Sequence, residues 1–224
     1  MRKLIFSVGE FYHIYNRGVD KRIVFENDSD YRRFCLLLYL CNRKTAVRFD
    51  TLPHWKKETS SELIKAVFEQ PDESPLVAIG AYCLMPNHYH ILVKEIAEAG
   101  ISIFMHKLST AYTMYFNLSR GRTGSLFQGR FKAEHANTDR YLKYLFAYIH
   151  LNPVKLAEPN WKVQRIQNIE RVKEYLFSYP YSSYFDFLGK TRELVKILNW
   201  KQFPHYFSKD SFIQDINDWL TYDR

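Results

Sequence analysis

Two histidines one residue apart, His88 and His90 in "MPNHYHILVK" (85–94), head an apolar run with the alternation of a half-buried strand. Side chains alternate faces along a strand, so both imidazoles point the same way, roughly 7 Å apart at the backbone. At that separation they can share one cation. Tyr89, Ile91 and Val93 then face the other side and are apolar enough for a core. A structural zinc site wants four protein ligands, which the pair does not supply. Two imidazoles completed by an oxygen ligand and waters suit Mg2+, Mn2+ or a similar hard ion acting on phosphate oxygens.

A reactive group lies further along, in "TDRYLKYLFAYIHLNP" (138–153). Tyr141, Tyr144 and Tyr148 recur at i, i+3 and i+7, so a helix brings all three near one face. Asn152 follows Tyr148 by one turn, on the same side. Because it precedes Pro153, it is expected at the fraying helix end, with its amide oxygen free to reach outward. A phenol and an amide oxygen one turn apart can present a nucleophile and a metal ligand to one point. Tyrosine is weak at its free pKa near 10, so a nearby cation or a metal-bound phosphate has to activate it. The same residues also describe an aromatic stripe packed on a sheet, with Asn152 as the helix stop.

The elements that must position these groups can be read from pattern and punctuation. A strand is expected over "EFYHIYNRG" (10–18), and a helix from near residue 29 in "NDSDYRRFCLLLYLCNR" (27–43), with Asp and Ser as capping candidates. A short helix fits residues 60–70 and a polar loop 71–75. Strands over 76–86 and 88–96 meet at Met85-Pro86-Asn87, which reads as a hairpin turn. A long amphipathic helix spans 101–121, with Ile101, Phe104, Leu108, Ala111 and Tyr115 along one face and Gly121 at its end. Residues 129–137 read as a strand, and 138–153 as a helix capped by Thr/Asp and stopped by Pro153. The order strand, helix, hairpin, helix, strand, helix implies an α+β fold, a mainly antiparallel sheet with helices packed on it.

Composition narrows the partner. The 224-residue chain carries a net charge of +8, a balance that favours a polyanion, meaning nucleic acid or an acidic membrane surface. Half of that excess falls in residues 119–143, where Arg120, Arg122, Arg130, Lys132, Arg140 and Lys143 outnumber Glu134 and Asp139. Phe127, Phe131 and Tyr141 are interleaved with them, and cations mixed with aromatic faces suit a single strand with unpaired bases. A solvated basic surface over core aromatics is the other reading. Cys35, Cys41 and Cys83 form neither a disulfide framework nor a zinc-finger spacing, so buried thiols in a reducing cytoplasm are expected. The amino-terminal apolar stretch is too short for a signal peptide, and no run reaches membrane-spanning length.

Taken together, the motifs resemble the single-tyrosine HUH transposase superfamily, closest to its REP-associated tyrosine transposases and related insertion-sequence transposases. The stretches that carry the resemblance are "FYHIYNRG" (11–18), "AYCLMPNHYHILV" (81–93), "GSLFQGRFKAE" (124–134), "YLKYLFAYIHLNPVKLA" (141–157) and "YPYSSYFDFLG" (179–189). They span most of residues 9–190. The resemblance implies a ferredoxin-like sheet of the HUH endonuclease type and a divalent metal, Mg2+ or Mn2+, held by His88, His90 and Asn152. It puts the nucleophile on Tyr148, ahead of Tyr144 and Tyr141. The implied activity is cleavage and rejoining of single-stranded DNA at hairpin-forming ends, through a 5′-phosphotyrosine link. Arg17, Arg122, Phe127, Gln128, Arg130 and Lys132 are the candidate nucleic-acid contacts. Residues 1–190 would form the catalytic domain, with 44–75 an insertion and 191–224 a partly helical appendage. Single-stranded or hairpin DNA is the implied partner. Relatives include homodimers with shared sites and forms that work alone. Tyr89 departs from the pattern, being a bulky residue between the two histidines. A hairpin-binding protein without strand transfer and a metal-dependent nuclease are the competing readings.

Overall fold

The structure is a computed structural model that describes residues 4–57, 60–70, 73–164 and 166–221. The polar loop read over 71–75 begins outside them. Strand β1 (Phe11–Arg17) leads into helix α1 (Asp28–Leu40), and α2 (Ser61–Phe68) follows. The hairpin of β2 (Val77–Met85) and β3 (His88–Glu95) turns at Pro86 and Asn87, as its punctuation requires. Then come α3 (Gly100–Ser119), β4 (Lys132–His135) and α4 (Asp139–His150). Four short or peripheral helices close the chain: α5 (Val154–Ala157), α6 (Ile169–Ser178), α7 (Tyr184–Phe187) and α8 (Lys209–Thr221). The sheet order is β2-β3-β1-β4 with every neighbour antiparallel, the split βαβ arrangement of ferredoxin-like folds.

Three local expectations are corrected. The cap of α1 is Asn27, whose side chain accepts from the Asp30 N–H; neither Asp nor Ser serves. The strand read over 129–137 shrinks to Lys132–His135, because Gly129 turns at positive φ and the chain before it is tied to Arg17 and Gly18. Pro153 does not end the helical path. It follows the last turn of α4 and caps α5 directly.

The two sheet faces bury different cores. Tyr12, Ile14, Tyr89, Ile91 and Val93 face α1 and α3, meeting Phe34, Phe104, Leu108 and Tyr112. Tyr89 is thus a core residue, with its ring against Phe34 and Phe127. The other face carries Cys83 and Leu92 under Leu142, Leu145, Phe146 and Ile149 of α4. Outside α4 lies a further layer in which Ala147 and Leu151 meet Val172, Leu176, Phe212 and Ile216. None of the described helices is long and apolar enough to cross a membrane.

Two positions bear directly on stability. A bulge breaks the β2–β3 register between Ile79 and Ala81, and a Cβ on Gly80 would lie 2.6 Å from the Phe203 ring. Overpacking of this kind costs about 1–3 kcal/mol. Gly80→Ala is expected to lose that much in equilibrium urea unfolding, and an unchanged midpoint would contradict the close approach. Asp30 is wholly buried and accepts from the Glu26 N–H (2.8 Å), the Tyr115 hydroxyl (2.9 Å) and Arg120 (2.5 Å). Breaking a buried pair costs about 3–5 kcal/mol. Arg120 also pairs with Glu26 and keeps some exposure, so the lower end is expected for Asp30→Ala in the same measurement.

Candidate active site

The face under α4 gathers polar groups from three neighbouring strands. In the ladder Arg17 lies opposite His88, Tyr15 opposite His90 and Lys132, and His13 opposite Glu134. Directly opposed residues share a face, so β1 and β4 extend the histidine row toward the open edge of the sheet. The rings of His88 and His90 stand 5.1 Å apart, centroid to centroid and nearly perpendicular. Each has its Nδ1 engaged. That of His88 lies 2.6 Å from Asn87 Oδ1, and that of His90 lies 2.8 Å from His13 Nε2.

The three imidazoles are held neutral. Burial pushes the pKa of His88 down to about 4, and the charges of Lys155 and Arg17 push the same way. His13 is also lowered to about 4 by burial, against the pull of Glu134. Burial again dominates at His90, with His13, His88, Lys155 and Lys162 adding to it. Neutral imidazoles are the form that binds metals. Among the described residues no group of three His, Cys, Asp or Glu side chains is placed to hold a metal ion. Any ion here would need an oxygen donor of another kind.

Asn152, one turn after Tyr148, carries such an oxygen in a setting different from the frayed end that its position before Pro153 implies. It is 2% exposed and does not reach outward from a frayed end. Its Nδ2 donates to the Tyr148 carbonyl at 2.9 Å, while Oδ1 is buried without a hydrogen-bond partner. An orphaned buried carbonyl is costly in a core, about 1–3 kcal/mol, and fits a ligand atom better than a packing one.

Tyr148 sets its ring edge-on to two of the histidines, 5.6 Å from His90 and 5.7 Å from His13. The other two tyrosines of α4 are turned to different tasks. Tyr141 donates its hydroxyl to Glu134 at 2.9 Å, and Tyr144 meets the Trp219 ring at 5.1 Å. Burial raises the Tyr148 pKa, and Tyr144 and Glu134 raise it further. The phenol is therefore protonated at rest, and its proton has to leave during any attack. Lys162 stands 4.8 Å from the centroid of the same ring.

The candidate nucleic-acid contacts divide between places. Arg17 reaches Gln128 Oε1 at 3.1 Å, and Lys132 is exposed on the histidine face. Arg122 braces its own loop through Asn117 Oδ1 and the Ser125 carbonyl. Arg130 and Phe127 line an open cleft of about 890 Å³ that also touches α3 and Asn16, on the opposite sheet face. Phe127 is 4% exposed and packs against Tyr89 and Tyr112, so it is a core residue. Sequence reading missed His13, Asn87, Glu134, Lys155 and Lys162. His13 had a signal, since strand alternation puts it with Arg17, but that β1 lies beside β3 is a tertiary fact. Lys162 sits in a stretch with no pattern at all.

Comparison with known proteins finds this geometry in similar company. Residues 45–152 match the family model described as "Transposase IS200 like", a span that includes His88, His90, Tyr148 and Asn152. A solved structure described as a REP-associated tyrosine transposase bound to a REP hairpin shares the fold, with a TM-score of 0.51 at 12% identity. The alignment covers 93% of this chain and 90% of that one. No curated protein matches the chain. The family model falls on the motifs and the fold follows that neighbour over nearly its whole length, so the chain is similar to IS200-like transposases across residues 45–152 and shares the fold of a REP-associated tyrosine transposase.

Proposed function

We propose that the protein cleaves and rejoins single-stranded DNA at hairpin-forming ends by metal-dependent transesterification through Tyr148. One observation carries the reading. Tyr148 lies edge-on to His90, one helical turn before the buried, unpartnered Oδ1 of Asn152. The donors fit a hard divalent cation such as Mg2+ or Mn2+: two neutral imidazoles whose Nδ1 atoms are already engaged, and one amide oxygen. When bound by His88, His90 and Asn152, such an ion supplies Lewis-acid polarisation of a scissile phosphate.

The chain's own groups do the rest. The Tyr148 oxygen bonds to phosphorus as the bond to the 3′ oxygen breaks, giving a 5′-phosphotyrosine link and a free 3′-hydroxyl. The phenolic proton is lost and the leaving oxygen gains one, so the step is neutral overall. Attack by another 3′-hydroxyl reverses it and restores the tyrosine, so no high-energy cofactor is consumed. Arg17, Lys155 and Lys162, whose charges act on the histidines, offset the phosphate charge there. Arg17, braced by Gln128, and Lys132 add basic charge on the histidine face, where they can hold the backbone of the bound strand. The structural neighbour was solved bound to a REP hairpin, which supports a hairpin partner here. Residues 1–190 form the catalytic unit in this reading, with 191–224 a partly helical appendage.

The test is a labelled single-stranded hairpin incubated with the protein and Mg2+ or Mn2+, then resolved on a denaturing gel. A covalent DNA–protein adduct with a free 3′ end is the expected result. Binding without cleavage would mean a hairpin-binding protein, and cleavage with no adduct a nuclease that uses water.

A further inference from the structure

His13 stands outside the ligand set proposed above, yet it touches that set at one atom. Its Nε2 lies 2.8 Å from Nδ1 of His90. The ring planes differ by 21° and the centroids are 5.0 Å apart, the edge-to-edge, nearly coplanar arrangement that an in-plane N–H···N bond needs. One of the two nitrogens carries the proton, and the choice has a chemical consequence. If His13 donates, His90 holds its own proton on Nε2 and has no lone pair to offer there. If His90 donates, its Nε2 becomes a metal-ligand atom.

Two observations favour His90 as donor. His88, the sister residue, faces Asn87 Oδ1, which can only accept, so His88 carries its proton on Nδ1 and frees Nε2. Asn87 is oriented this way by its Nδ2, which donates to the Lys21 carbonyl at 3.2 Å. The second is Glu134, directly across the ladder from His13. Its oxygens accept from the Tyr15 and Tyr141 hydroxyls, and its negative charge beside His13 raises the basicity of that imidazole and so strengthens it as an acceptor.

We propose that His13 is a positioning residue that accepts the Nδ1 proton of His90, fixes the plane of that ring and leaves its Nε2 for a divalent cation. The proposal rests on the metal-dependent reading above. It explains a buried histidine, 4% exposed, that is not itself in the proposed ligand set.

The experiment uses the full chain without metal at neutral pH. Nitrogen-15 NMR of the histidine rings reads the tautomer of His90 directly. The expected result is an Nδ1-protonated His90 in the wild type, with the proton redistributed to Nε2 in His13→Phe. Mn2+ affinity, followed by the EPR signal of the free ion, should fall roughly 10–100-fold in His13→Phe, the usual scale for a lost outer partner. His13→Gln, whose amide oxygen can accept in place of Nε2, should stay within a few-fold of wild type. An Nε2-protonated His90 in the wild type overturns the proposal without any variant having to fold. So does undiminished Mn2+ affinity in His13→Phe, or a loss in folded His13→Gln as large as in His13→Phe. Absence of saturable Mn2+ binding by the wild type would bring down the metal reading itself. Normal Mn2+ binding with the wrong tautomer would bring down only the role of His13.

Discussion

Tyr148→Phe is expected to abolish strand cleavage and the covalent adduct together, while hairpin binding and folding are kept. The substitution removes one oxygen and nothing else. The ring keeps its contacts with His90, His13 and Tyr144 and its place under Lys162, so the site is not remodelled. Removing a covalent nucleophile costs on the order of 10⁴-fold or more in rate, because no other group stands ready to form the bond. Tyr144→Phe and Tyr141→Phe are the controls. Their hydroxyls sit on the same helix face, yet one ring packs on Trp219 and the other hydroxyl serves Glu134. Both should cleave within about tenfold of wild type, since neither hydroxyl meets the reacting phosphate in this arrangement. Cleavage that survives in Tyr148→Phe would transfer the attack to water or to another tyrosine, and the assignment would fall.

Why Tyr148 could be singled out from sequence as the candidate nucleophile, and His13 could not be placed beside His90, follows from the range of the interactions involved. The hairpin, the long helix and the capped helix 138–153 are local patterns, set by alternation, by 3.6-residue spacing and by turn residues. Within them, residues on one face of one element are fixed by counting. His88 with His90, and Tyr148 with Asn152, are pairs of that kind. What counting leaves open is which face meets which. The β1–β3 and β1–β4 pairings bring His13 and Glu134 beside His90, and they depend on strand order. Asn152 shows the same limit from another side. Its neighbour Pro153 implied a frayed, outward end, but α5 begins at once after that proline and the helices beyond it bury the amide. The basic residues around Phe127 suggest a base contact, and the packing of Tyr89 and Tyr112 on it shows that aromatic spacing alone does not separate a stacking platform from a core. Lys162 comes to Tyr148 from a loop that carries no periodic signal.

His88→Ala should remove Mn2+ binding and cleavage while hairpin affinity stays near that of wild type. His88 is the better of the two histidines to change. It is the less buried, and its Nδ1 partner Asn87 keeps a second hydrogen bond to Lys21 and sits in a half-buried turn. His90→Ala would instead leave the buried Nε2 of His13 without its partner, at about 1–3 kcal/mol, so lost activity could come from lost stability. The loss in Mn2+ affinity for His88→Ala should exceed the roughly 10–100-fold expected for an outer residue, because one of the three proposed donors is gone. Asn152→Ala should fall in the same class, with an added cost from the hydrogen bond it gives the Tyr148 carbonyl. Hairpin affinity separates the explanations. The charges of Arg17 and Lys132, proposed above as phosphate contacts, are untouched in His88→Ala, so weakened hairpin binding would mean that the histidine row grips DNA directly. If His88→Ala instead cleaved at the wild-type rate and bound Mn2+ unchanged, the pair at 88 and 90 would be a packing feature of β3. The chemistry would then have to be sought elsewhere on the sheet.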